Sequence, residues 1–166
     1  MQFKVGDLVV HLTYGVGRIA EIEEKRFFEK EACLYYKIAL PRRTVWIPVK
    51  SEETHVLRLA TVKSDLDLYR NLLKSPPAPL EKNHHRRHLE LINRLKQGSF
   101  RDVCEVVRDL TAWGRRKPLG QTDTATLQKT RESLYQEWAA AAGVSTTEAI
   151  KEIDALLVAA RPIPAG

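Results

Sequence analysis

Apolar residues follow two different periods along this chain. Up to about Arg58 they form short runs rich in β-branched and aromatic side chains, whereas beyond Ser64 they recur at helical spacing. The short runs are Leu8–Val10, Arg18–Ile22, Leu34–Ile38 and Thr44–Pro48. Turn-forming residues separate them, among them Gly15 and Gly17, to which we assign positive φ angles in a tight turn. The pattern predicts about five strands, which is typical of a small twisted barrel of the Tudor-like or SH3-like type.

The helical region begins with four leucines between positions 66 and 73, and the proline-rich run Ser75–Pro79 ends this first helix. Further helices are expected at about 82–97, 99–113, 122–142 and 145–160. Leu89, Ile92 and Leu95 are the expected apolar face of the first of these four. The predicted fold class is therefore α+β. It comprises a small Tudor/SH3-like β-barrel over 1–62, a helix and Pro-rich linker over 63–81, and an all-α domain over 82–166.

Positive charge is concentrated in one segment of the chain. The 166 residues carry 27 basic and 21 acidic side chains, and residues 82–117 alone hold ten basic against four acidic ones, a net +6. Charges in the flanking segments nearly cancel, at +2 for residues 1–81 and −2 for residues 118–166. Such a local excess is the electrostatic footprint of a protein that contacts phosphates. A solvated helix face is the alternative interpretation.

Three histidines lie together at the start of the basic segment. His84 and His88 have the four-residue spacing of metal-binding helices, but the two arginines between them would repel a dication. We therefore expect no metal site and no cofactor, and favour histidines that face phosphate. The remaining histidines, His11 and His55, belong to the strand region, and the chain has no nucleophile-elbow pattern. These features favour a protein that is not an enzyme and has no small-molecule substrate.

Hydropathy and cysteine usage bear on the compartment. No apolar run approaches the roughly 18 residues of a membrane span, and the N-terminus lacks the pattern of a signal peptide. Cys33 and Cys104 stand far apart in apolar surroundings, as buried free thiols do. We expect a cytoplasmic protein without membrane contact.

The tryptophans fall in different settings. Trp46 lies on a predicted strand, where it could face either the barrel interior or a partner. Trp113 closes the helix expected over 99–113, and we interpret it as a core residue because an indole buries a large apolar area. Trp138, within an alanine-rich helix, is also expected in the core.

The order and spacing of several short motifs point to a known family. They are Phe3–Val10, Tyr14–Gly17, Tyr35–Tyr36, Ile47–Val49, Leu57–Arg58 and Glu105–Leu110. Along nearly its whole length the chain resembles the CarD/CdnL family of bacterial transcription regulators. This resemblance implies an N-terminal Tudor-like domain that docks on the β subunit of RNA polymerase. It also implies a helical domain that contacts promoter DNA at the upstream edge of the bubble with little sequence specificity.

The resemblance also suggests which residues make these contacts. Lys25 and Trp46 occupy strand positions where the family often has arginines that meet the polymerase, and Arg42 and Arg43 are further candidates for that surface. The family's DNA wedge is a tryptophan, and its position is taken here by His84. Imidazole offers less apolar area than indole, so we expect a weaker wedge. The expected DNA-binding residues are His84, Arg86, Arg87, Arg94, Arg115, Arg116 and Lys117.

Together these features lead us to expect a nucleoid-associated transcription regulator that bridges RNA polymerase and promoter DNA and modulates open-complex stability. One alternative is a polymerase-binding or protein-interaction adaptor without a functional DNA wedge. Another is a small metal-dependent hydrolase built on the clustered histidines.

Overall fold

The structure is a computed structural model that describes residues 2–27, 31–50 and 56–160. The chain divides after Ala60 into two compact units, residues 1–60 and 61–166. The first unit consists of strands and the second of helices, which confirms the α+β class. His55 lies outside the described residues. None of the described helices is long and apolar enough to cross a membrane.

The described residues of the N-terminal unit form a five-stranded antiparallel sheet with the order β4-β3-β2-β1-β5. Its strands are β1 (Leu8–His11), β2 (Gly15–Lys25), β3 (Cys33–Ala39), β4 (Thr44–Pro48) and β5 (Leu57–Leu59). All four apolar runs of the sequence coincide with strands. Within the described residues, β4 pairs only with β3 and β5 only with β1, so the sheet is not closed. The predicted barrel closure is therefore not confirmed.

One face of this sheet is buried around Tyr36, which is fully enclosed and packs edge-on against Phe3 with ring centroids 5.4 Å apart. The other buried members of this core are Val9, Ile19, Ile38, Ile47 and Leu57. Gly15 has the expected positive φ of 84°, but Gly17 does not. Gly17 is required for space instead, because a Cβ there would lie 2.8 Å from Cγ2 of Ile38.

The described part of the C-terminal unit, residues 61–160, contains five α-helices. They are α1 (Leu66–Lys74), α2 (His84–Gln97), α3 (Phe100–Arg116), α4 (Gln121–Ala142) and α5 (Thr146–Ala159). Leu66 and Leu73 of α1 are fully buried in the same core as Leu110 and Trp138. The proline-rich stretch is also held there, since the Ala78 amide donates to Oδ1 of Asp109 at 3.0 Å. Residues 63–81, expected to be a helix and Pro-rich linker, belong to the helical unit, which begins at Thr61.

Helix ends follow the expected capping signals. Ser99 and Ser145 accept hydrogen bonds from backbone amides three residues later, at 3.0 and 3.1 Å, and Gly98 and Gly143 end the preceding helices in the left-handed conformation. Helix α3 continues to Arg116, three residues beyond its expected end.

Helix α2 buries only part of the expected apolar face, because Leu95 packs against the core but Leu89 does not, and Leu91 is buried instead. Leu91 is only 1% exposed, whereas Leu89 is 50% exposed. Arg87 precedes Leu91 by one helical turn and is buried with it.

Candidate functional site

Two surfaces carry the residues singled out by the sequence. The first lies on the sheet face opposite the core of the N-terminal unit. Strand register places Trp46 beside Lys37 and Lys37 beside Glu21, while Val45 and Ile47 on either side of Trp46 pack toward the core. Trp46 therefore faces away from the core of the unit and not into its interior, the two orientations that its strand position left open.

Trp46 is the centre of an aromatic and charged group that we call the Trp46 cluster, comprising Glu23, Lys25, Phe27, Tyr35 and Trp46. Its indole Nε1 donates to Oε1 of Glu23 at 2.7 Å, and Nζ of Lys25 lies 4.3 Å from the centre of its ring. The Phe27 ring meets those of Tyr35 and Trp46 edge-on, with centroids 5.0 and 6.1 Å away.

Charge in the Trp46 cluster is organised around Glu23. The hydrogen bond from Trp46 lowers the pKa of this carboxyl below its usual value, against the opposing effect of desolvation and with help from the charges of Lys25 and Lys37. Nζ of Lys25 is 3.6 Å from Oε1 of Glu23. The cluster therefore presents ordered aromatic rings together with a lysine whose side chain is 36% exposed.

Arg42 and Arg43, the other expected polymerase-binding residues, lie outside this cluster. Both are exposed in the turn between β3 and β4, where the guanidinium carbon of Arg43 is 4.7 Å from the centre of the Tyr14 ring. The structure thus brings Lys25 and Trp46 together and places the two arginines at a separate turn of the same unit.

The second surface is at one end of the helical unit, and we call it the basic end. It consists of His84, His85 and Arg86 in the first turn of α2, and Arg116 and Lys117 at the end of α3. All five side chains are exposed, and none of them forms an ion pair with a carboxylate of the described residues. The first turn of α2 contains no acidic residue. Because a helix N-terminus carries partial positive charge, basic residues there add to it and favour an anionic partner.

Arg87 lies next to Arg86 in sequence but has a different role. Its Nε and Nη2 donate to the same carboxylate oxygen of Asp123, at 3.0 and 2.8 Å, and both side chains are less than 10% exposed. Its Nη1 donates to the carbonyls of Glu81 and Lys82. The Arg87 guanidinium is thus buried and bonded inside the protein, unlike the exposed side chain of Arg86, and its contact with DNA stays a prediction. Arg87 ties the start of α2 to the start of α4.

Trp113 connects the two parts of the basic end. The guanidinium carbon of Arg87 lies 5.2 Å from the centre of its ring, and Nζ of Lys117 lies 4.9 Å from it. These contacts bring the first turn of α2 and the last turn of α3 to the same place. Trp138, by contrast, is completely buried, as expected.

Arg94 and Arg115 also donate hydrogen bonds to groups within the protein. Nη2 of Arg94 donates to Glu105 at 2.8 Å, and Arg115 donates to the Leu157 carbonyl at the end of α5 at 3.1 Å. Desolvation raises the pKa of Glu105, but hydrogen bonding by Arg101 and the charges of Arg94, Arg101 and Arg108 outweigh it and lower the net value. The charge of Arg94 is thus balanced locally, and we leave both Arg94 and Arg115 out of the basic end.

The clustered histidines do not assemble a metal site within the part of the chain that the structure describes. No three His, Cys, Asp or Glu side chains there lie close enough together to hold a metal ion. His84 and His85 are exposed, whereas His88 is half-buried with its Nδ1 unpartnered. The two cysteines also differ, since Cys104 is buried as expected and Cys33 is exposed.

The side-chain partners of Trp46 and Arg87 are distant in sequence. Glu23 and Trp46 are 23 residues apart, and Arg87 and Asp123 are 36 apart, so no local pattern indicates either pair. One signal was available for Arg87. It lies four residues before Leu91, which places both on one face of the helix.

Comparison with known proteins covers both units. Residues 3–60 match the model of the CarD-like/TRCF RID domain, and residues 69–154 match that of the CarD C-terminal domain. The chain is also similar to a protein of Bacillus subtilis (strain 168) described as "Putative transcription factor YdeB". The two are 26% identical over 144 residues, which cover 86% of this chain and 94% of that protein. Two family models that match the two units in this order place the chain in the CarD family.

Proposed function

We propose that this protein is a transcription regulator, not an enzyme, that binds the β subunit of RNA polymerase through its N-terminal unit. Its helical unit contacts promoter DNA near the bubble and thereby modulates the stability of the open complex. The observation that carries the DNA contact is the unpaired charge of the basic end. Arg86, Arg116 and Lys117 are exposed without a described acidic partner, whereas Arg87, Arg94, Arg101 and Arg108 each form an ion pair.

The polymerase contact is supported by the match of residues 3–60 to a CarD-like/TRCF RID domain. Two features of the unit suit a protein partner. The Trp46 cluster offers aromatic rings of the kind enriched at interface centres. Strand β4 pairs on one side only among the described residues, so its other edge offers backbone groups that a partner strand can complete. In this proposal Lys25 and Trp46 form the main contact, and Arg42 and Arg43 contribute from the neighbouring turn.

The two contacts act together by tethering. Docking on the polymerase raises the effective concentration of the basic end at the promoter into about the millimolar range, so that a weak DNA contact suffices. To stabilise the open complex, the protein must bind the melted state more tightly than the closed duplex. Each tenfold difference in affinity corresponds to about 1.4 kcal/mol. A protein with these contacts is expected to be found with the nucleoid.

An adaptor that binds polymerase without a functional DNA wedge is the second candidate, because an imidazole stands at His84 where the family has an indole. Salt dependence of duplex DNA binding separates the two functions. If the basic end contacts phosphates, log affinity falls linearly with log salt concentration at about −0.9 per phosphate neutralised. Neutralising Arg116 and Lys117 together, as Arg116→Gln/Lys117→Gln, reduces the slope by up to about two units. Arg101→Gln, which removes an exposed arginine far from this end of α3, is the matched control. A slope near zero in the wild type supports the adaptor.

Polymerase binding is tested separately by capture of RNA polymerase from native lysate on the immobilised full-length protein. Recovery of the β subunit is expected, and recovery should fall when Trp46 is replaced by Ala. A wild-type protein that captures no polymerase contradicts the proposal for the N-terminal unit.

A further inference from the structure

Trp113 has surroundings unusual for a tryptophan in a helical domain. Its side chain is only partly buried, and it is not among the described apolar residues that form or pack against the core of the unit. Two cationic side chains, Arg87 and Lys117, lie over the Trp113 ring. The sequence-based interpretation of Trp113 as a core residue is therefore wrong.

The two cations differ in their freedom. Arg87 is fixed by Asp123 and by two backbone carbonyls, so it holds the indole in place from inside the protein. Lys117 is exposed, follows the last residue of α3 and forms no ion pair with a described carboxylate. Its contact with the ring can be exchanged for a contact with a phosphate at little cost, because a lysine ammonium sits on a flexible stem.

We propose that Trp113 is a stacking platform for an unpaired nucleobase, and that Lys117 moves from the ring to a neighbouring phosphate when the base arrives. This inference rests on the DNA contact proposed above and adds to it a preference for melted over paired DNA. A base in a duplex has both faces covered by its neighbours, whereas an unpaired base can stack on an indole whose ring is partly accessible. Aromatic platforms beside cationic side chains bind single strands in this way without reading their sequence.

The position of Trp113 within the basic end supports its assignment as a stacking platform. The ring lies between the first turn of α2, which carries His84, His85 and Arg86, and the cationic end of α3. A strand whose phosphates lie along these basic side chains would carry its bases past Trp113.

The test uses the full-length protein with Trp46→Phe, which removes the tryptophan of the N-terminal unit from the fluorescence signal. Titration with an oligothymidylate of about ten nucleotides at low salt should quench the emission. Trp113→Leu should weaken single-strand affinity roughly tenfold while changing duplex affinity less than twofold. Trp113→Phe should recover most of the single-strand affinity, since it keeps an aromatic ring on Arg87. Lys117→Gln should reduce the salt slope for both forms of DNA.

The outcomes separate this inference from the function it rests on. If duplex DNA binds with the expected salt slope but Trp113→Leu binds single strands as the wild type does, the stacking platform is wrong and the DNA contact stands. Binding of neither form of DNA overturns both. Trp113→Leu also removes support from Arg87, so unfolding is measured alongside. If Trp113→Leu unfolds the helical unit, the fluorescence titration of the Trp46→Phe protein decides, and unchanged emission on saturation with oligothymidylate overturns the proposal.

Discussion

Arg87 and Asp123 form a buried ion pair in which two guanidinium nitrogens donate to one carboxylate oxygen at 3.0 and 2.8 Å. The pair joins α2 to α4 at the end of the helical unit where the free basic side chains gather. Arg86, one residue earlier, is exposed, and its side chain forms no ion pair with the described carboxylates, while its backbone amide donates to Oδ1 of Asn83. Adjacent arginines thus serve two purposes, one structural and one available to a partner.

Substituting these two arginines separately is the sharpest test of that division. Arg86→Ala should reduce the salt slope of duplex binding by about 0.9 and leave the free energy of unfolding within about 0.5 kcal/mol of wild type. Arg87→Ala should lower the free energy of unfolding by about 3–5 kcal/mol, because it leaves the Asp123 carboxylate buried and unpaired. Urea unfolding and a salt series on each variant measure both effects. A loss of salt slope without loss of stability in Arg87→Ala would show that Arg87 faces the DNA after all.

Trp46→Ala should weaken capture of RNA polymerase with only a small effect on folding. The substitution removes a cation–π contact and one hydrogen bond on the outer face of the sheet, which we expect to cost about 1–2 kcal/mol. Tyr36→Ala is the comparison from the opposite face, where loss of a fully buried ring should cost about 3–5 kcal/mol. If the two variants lose similar stability, Trp46 belongs to the core and the docking surface has to be sought elsewhere.

His11 gives the N-terminal unit a dependence on pH. Nδ1 of this buried ring accepts from the amides of Thr13 and Tyr14, at 3.0 and 3.3 Å, and burial lowers its pKa below the ordinary value of 6.5. The folded state therefore binds a proton less readily than the unfolded state. The stabilising contribution of His11 is present above about pH 6.5 and is lost as pH falls through the lower folded-state value.

An NMR titration of the His11 ring measures this pKa directly and should give a midpoint below 6.5. His11→Asn keeps an acceptor for the Thr13 amide and has no group that titrates in this range, so it should flatten the loss of stability on acidification. A midpoint at or above 6.5 contradicts the account of His11 as a neutral acceptor.

Much of the fold could be predicted from the sequence because its signals are local. Strand runs, serine caps and glycine C-caps each depend on a few neighbouring residues, and they appear where expected. The membership of α1 in the helical unit could not be predicted in that way. It depends on the burial of Leu66 and Leu73 against helices far along the chain. The open sheet likewise depends on long-range strand pairing, which composition and strand count do not determine.

The candidate site was predicted in outline but not residue by residue. Local charge pointed to the segment 82–117, and exposed cationic side chains lie near both ends of that segment. Charge counting treats all arginines alike. In the fold, however, Arg87 pairs with Asp123 and Arg94 with Glu105, and Arg115 donates to the Leu157 carbonyl. Only the fold brings these partners to them.

His84→Trp should strengthen the proposed contact with melted DNA. His84 is exposed in the first turn of α2, so an indole there can be accommodated without disturbing the core. The added apolar area suits unstacking of a base step and should lengthen open-complex lifetime several-fold, which corresponds to about 1 kcal/mol. The control is His84→Gln, which adds no aromatic ring. An unchanged open-complex lifetime with intact polymerase binding would mean that His84 does not reach the edge of the bubble.

The lifetime of promoter open complexes formed by the native RNA polymerase, measured after a competitor is added, tests the central claim most directly. We predict that the wild-type protein changes this lifetime by at least about twofold, and that Trp46→Ala and Arg86→Ala each remove most of the change. The first variant should act through lost polymerase binding and the second through lost DNA contact, so excess protein should rescue Trp46→Ala but not Arg86→Ala. A lifetime that the wild-type protein leaves unaltered, or that Arg86→Ala alters as strongly as wild type, would contradict the proposed bridge between polymerase and promoter DNA.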